Sequence, residues 1–122
     1  MHDAPDALEL VEAVATFLRT QAVAALDGGT SYQARVAARM LEIAVRELRE
    51  GPRMRLREEA SLRGLLGESD LAPEALRAAL CQRIASGDMD LQTPGLYTHL
   101  WNVALDKLAV DQPDYDTYQR LK

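Results

Sequence analysis

Apolar residues recur at steps of three and four along almost the whole chain of 122 residues, and period-two alternation is scarcely found. That spacing puts one side chain per turn on a common helical face, whereas a half-buried strand needs strict alternation, so it restricts the chain to helical folds. In the first segment Leu8, Val11, Val14, Ala15, Leu18, Ala22 and Leu26 form the stripe, with Glu9, Glu12, Thr16 and Arg19 on the other side. Asp3 or Asp6 can cap its start, and Asp6 with Glu9 has the spacing of a capping box. Gly28 and Gly29 close it.

A second helix is predicted from Thr30 or Ser31, with Val36, Ala37, Met40, Leu41, Ala44 and Leu48 as its apolar line and Gly51-Pro52 as its stop. Arg53 to Leu66 forms a third helix of poor phase, since Leu56, Ala60, Leu62, Leu65 and Leu66 spread around the axis. A fourth begins near Pro73, buries Leu76, Leu80 and Ile84, and ends at Gly87. Thr93-Pro94 offers a capping hydroxyl followed by proline at the first helical position, and opens a fifth. Its expected apolar face is Leu96, Leu100, Trp101, Ala104 and Leu108, and Asp111-Gln112-Pro113 breaks it. The expectation is an all-α fold: a single five-helix bundle over residues 1–122, mostly up-and-down because the loops are short, with a short C-terminal tail.

Composition agrees. With 48% hydrophobic and only 5% aromatic residues, the apolar share is largely alanine and leucine, which favours helices packed through small side chains. A lone cysteine, Cys81, permits neither an internal disulfide nor a thiolate metal cluster. It sits beside Leu80 and is expected to be mostly buried, as a small core residue. No apolar run approaches the roughly 18 residues of a membrane span, and the N-terminus lacks the pattern of a signal peptide, so a cytoplasmic setting is expected. The net charge of −5 argues against nucleic-acid binding.

Three stretches taken together, "PDALELVEAVATFL", "ARVAARMLEIAVREL" and "DKLAVDQPDY", resemble a small bacterial all-α family of unknown function, in order and spacing along nearly the whole chain. The resemblance implies a helical fold and a bacterial source. It also implies neighbouring genes for aminoglycoside-phosphotransferase-like kinases and acyl-CoA dehydrogenases. The family motif usually has Asn where this chain has Arg39, so a site built on that Asn does not transfer. No reaction is implied.

Charge is unevenly placed. Arg35 to Arg63 contains eight arginines and five glutamates, while Ser86 to Gln119 contains six aspartates and one lysine. The plainest reading of the basic stretch is a solvated face with weak four-residue ion pairs, Glu42 with Arg46 and Arg46 with Glu50. Arg35 and Arg39, four apart and alike in charge, call for an acid nearby. An internal carboxylate, Asp106 or Asp111 for Arg35, is preferred to a phosphate or carboxylate ligand, which arginine forks also grip.

His99, Asn102 and Asp106 follow at steps of three and four. A histidine oriented by a carboxylate suits a general base, but seven residues of helix separate His99 from Asp106 by roughly 10 Å, too far for a direct bond. No catalytic group is therefore assigned, and the three residues are read first as a solvated helical face. Metal binding finds little support: His2 and His99 are the only histidines, and Asp88 and Asp90 read better as loop-capping residues than as a calcium loop. No cofactor is expected. Trp101 is read as a core anchor, or with Tyr97 as the edge of a pocket or interface. Tyr115 and Tyr118, on the acidic tail, are read as docking groups, first of all onto the chain's own bundle.

Three functions fit these residues. The first is a non-enzymatic helical accessory module that engages a protein partner, with the kinase-like neighbour as its candidate. The second is a small-molecule or acyl-group binding protein, or a cryptic enzyme, with an interhelical pocket gated by Arg35 or Arg39. The third is a homo-oligomer, expected as a dimer with the acidic tail of each subunit against the basic stretch of the other.

Overall fold

The computed structural model of the chain describes residues 4–67 and 70–122. His2 and Asp3, considered above as ligand and cap, and Glu68-Ser69 of the third connector lie outside the described residues. All regular structure among the described residues is helical: α1 (Ala7–Phe17), a π-helical turn (Leu18–Ala22), α2 (Val23–Ala25), α3 (Gly28–Leu66), α4 (Pro73–Ser86), α5 (Leu96–Asp111) and α6 (Asp116–Leu121). The all-α expectation holds, and with residues 7–25 counted as one rod there are five helices among the described residues.

They are not the five expected. Gly51-Pro52 does not stop a helix but lies inside the 39-residue α3. An interior proline removes one backbone N–H and costs roughly 3 kcal/mol, a penalty that the packing of a long helix can outweigh. The tail supplies the fifth helix as α6. No helix among the described residues is long and apolar enough to cross a membrane.

The chain divides into two compact units, residues 1–51 and 52–122. In the first, Asp6 caps α1 by accepting the Glu9 amide proton at 2.9 Å, as its spacing predicts. Arg49 bonds Glu12 at 2.8 Å, and Arg19 bonds Glu42 at 2.6 Å. Seven residues up the first rod thus correspond to seven residues down α3, the register of an antiparallel hairpin. The Glu42 carboxylate raises the pKa of Arg19 above its ordinary value. Ala15, Ala34, Ala38 and Val45 are the buried seam. Val36, Met40 and Leu48, expected inside, are exposed. The rods carry more apolar residues than one seam can cover, and the alanine line permits the closest backbone approach.

In the second unit Leu62, Leu66, Leu76, Leu80, Met89 and Leu96 form one core, with Leu65, Leu71 and Ala79 packed against it. Pro73 begins α4, and Gly87, at φ 84°, closes it with its amide on the Ile84 carbonyl. Ile84 itself is exposed rather than buried.

Two side chains on this unit depart further from expectation. Cys81 is exposed, because Leu76 and Leu80 define the inward face of α4 and the next residue is turned 100° from it. Trp101 is also exposed, at 39%: the buried residues of α5 are Leu96, His99 and Val110, not the Leu100–Trp101 line. Apolar residues lie all around this helix, so periodicity alone cannot select its phase. α5 also starts after Thr93-Pro94, not at it: the Thr93 hydroxyl accepts the Asp90 amide, its carbonyl accepts the Leu96 amide, and Gly95 at φ 85° precedes the helix.

Candidate functional site

The second unit contains a polar concavity of about 230 Å³ between the second half of α3 and α5. Arg57, Glu58 and Ser61 line it from α3, and His99, Asn102 and Asp106 from α5. The one-, three- and four-residue steps between these positions give each trio a shared side of its helix. Val103 and Leu105 add apolar surface.

His99 is the buried polar residue among the described residues of the unit, 5% exposed, and its Nδ1 lies 2.6 Å from the Ser61 hydroxyl. It is the one side-chain hydrogen bond of Ser61 among the described residues. With the serine O–H donating to Nδ1, both groups are satisfied and the imidazole proton resides on Nε2. Burial lowers the His99 pKa from its ordinary value, opposed by the nearby Glu58 carboxylate, so the ring is neutral at pH 7.

The charged residues of the concavity are paired. Arg57 Nη2 donates to Asp106 Oδ1 at 2.8 Å, and Arg77 Nε donates to Glu58 Oε1 at 2.6 Å. Asp106, expected to meet Arg35, instead accepts a hydrogen bond from Arg57. Arg35 and Arg39 are exposed residues of the first unit. His99 and Asp106 share the concavity but have different partners, as their separation along α5 requires.

Tyr97 and Trp101 stack with ring centroids 6.1 Å apart and planes 15° from parallel. Together with Leu100 they form an exposed apolar face on α5. Among the described residues no group of three His, Cys, Asp or Glu side chains could hold a metal ion. Asp90 instead accepts the Gln92 amide within its loop. The sequence groups His99, Asn102 and Asp106 but reads them as a solvated helical face, whereas His99 is buried, and it gives no sign that Arg57 and Ser61 join them. Their four-residue spacing was visible, but nothing in the sequence showed that it would face His99.

Fold and site define an all-α protein with a hydrogen-bonded serine–histidine pair in a charge-balanced cleft. The chain belongs to the family described as a domain of unknown function (DUF6285), whose model matches residues 24–115. No curated protein and no solved structure matches it.

Proposed function

We propose that the chain is a non-enzymatic helical binding module that engages a protein partner through the aromatic face of α5. The observation that carries this reading is the exposure of Tyr97, Leu100 and Trp101 on one face, with the two rings stacked. Stacked aromatics in water gain little for the isolated protein, whereas tyrosine and tryptophan are the residues that most often dominate interface energetics. A cytoplasmic setting accompanies this reading. The kinase-like neighbour implied by the family resemblance is the partner to test. Titration calorimetry with that kinase should give saturable binding that Tyr97→Ser with Trp101→Ala weakens about tenfold or more without changing the melting temperature. Absence of binding, or equal binding by the double variant, sinks the proposal.

A second reading, self-association, rests on the first unit. Leu10, Val14 and Phe17 recur at helical spacing on α1 and are each more than half exposed, as are Met40 and Leu48 on α3. Apolar patches of this kind commonly mark contact sites, and two-fold dimers are the commonest assemblies. Sedimentation equilibrium should show a dimer at micromolar concentration that Val14→Glu with Phe17→Glu dissociates. A monomer at every concentration removes this reading.

A further inference from the structure

We propose that the concavity lined by Arg57, Ser61, His99 and Asn102 is a binding site for a small monocarboxylate. This does not rest on the partner-binding reading above and involves a different side of α5.

The donor set is the first argument. Asp106 takes one Nη2 hydrogen bond from Arg57 and holds the guanidinium in place, and the remaining N–H groups of the fork have no protein partner among the described residues. A planar fork with free donors matches the two oxygens of a carboxylate. In the tautomer whose Nδ1 accepts the Ser61 O–H, His99 has an Nε2–H donor, and no protein group accepts from it among the described residues. No buried side-chain polar atom among the described residues lacks a hydrogen-bond partner, so this nitrogen keeps contact with solvent, and His99 is a lining residue. The Asn102 amide is a third donor.

Charge decides between anions. Glu58 and Asp106 also line the cavity, but each is already paired, with Arg77 and Arg57 respectively. The four groups sum to zero, so a bound monocarboxylate adds one negative charge to the site. A phosphate would bring nearly two charges beside two carboxylates, and like charges in a partly desolvated site are costly.

Size and polarity limit the remainder of the ligand. A concavity of about 230 Å³ has room for a short-chain acid. Val103 and Leu105 supply apolar surface for its hydrocarbon part.

The full-length protein can be tested with butyrate, following the imidazole nitrogens of His99 by NMR and binding by calorimetry. The expected result is a saturable shift of the His99 Nε2 resonance at millimolar butyrate. Butyramide, equal in shape but uncharged, should bind about tenfold or more weakly than butyrate, since hydrogen bonds to a charged group are the stronger kind. Arg57→Gln should weaken butyrate to a similar extent, and as Arg57 is 54% exposed that variant should keep its fold. Arg57→Lys, which keeps the charge but not the fork, should recover only part of the affinity. No saturable shift at His99, equal binding of butyramide, unchanged binding by Arg57→Gln, or a preference for inorganic phosphate would each overturn the proposal.

Discussion

The Ser61 hydroxyl and His99 Nδ1 lie 2.6 Å apart although 38 residues separate them in the chain. One hydrogen bond therefore joins the second half of α3 to the inward face of α5, beside the Leu62 and Leu96 core. Without it the buried imidazole would have an unpaired nitrogen.

Ser61→Ala should lower stability by about 1–3 kcal/mol, because it removes the partner of a buried polar group and leaves that group desolvated. Urea denaturation followed by circular dichroism measures this. A midpoint equal to that of the parent protein would show that water replaces the hydroxyl at no cost.

His99 also makes stability depend on pH. Its folded pKa is below the ordinary value of 6.5, so the unfolded chain binds the proton first as the pH falls. The contribution of the neutral buried ring is complete above about pH 6.5 and declines as the pH drops from there toward the folded pKa. His99→Gln should flatten that part of the stability profile. A profile that rises on acidification through this window in the parent, and not in the variant, would contradict the sign.

The exposed position of Cys81 predicts rapid chemistry. A thiol reagent should modify the native protein at nearly the rate seen in denaturant, and the modified protein should retain its helical circular dichroism. Strong protection in the native state would place α4 in another phase.

Two leucines test the packing of the second unit directly. Leu76 is 0% exposed in the core, whereas Leu100 is 43% exposed on α5. Leu76→Ala should cost about 2–5 kcal/mol through lost burial and the cavity left behind. Leu100→Ala should cost much less, within about 1 kcal/mol, as expected of a surface position. Thermal melts of the two variants compare them, and equal losses would show that Leu100 is a core residue after all.

Local chemistry was legible in the sequence wherever neighbouring residues decide it. Asp6 caps α1, Pro73 begins α4, Gly87 closes it, and the break after Asp111 holds, because capping, proline placement and left-handed closure each act within one turn. The all-α class was legible for the same reason, as periodicity is a property of each segment alone. Tertiary structure decided the rest. Gly51-Pro52 carries a stop signal, yet α3 runs through it, since local propensity is weak beside the packing of a long helix. On α5 the apolar residues surround the axis, so only its neighbours could turn His99 inward and leave Trp101 outside. The concavity combines both levels. The spacing of His99, Asn102 and Asp106 belongs to one helix, but Ser61 and Arg57 reach them only because the chain folds back, and no spacing within a segment encodes which face of α3 will meet which face of α5.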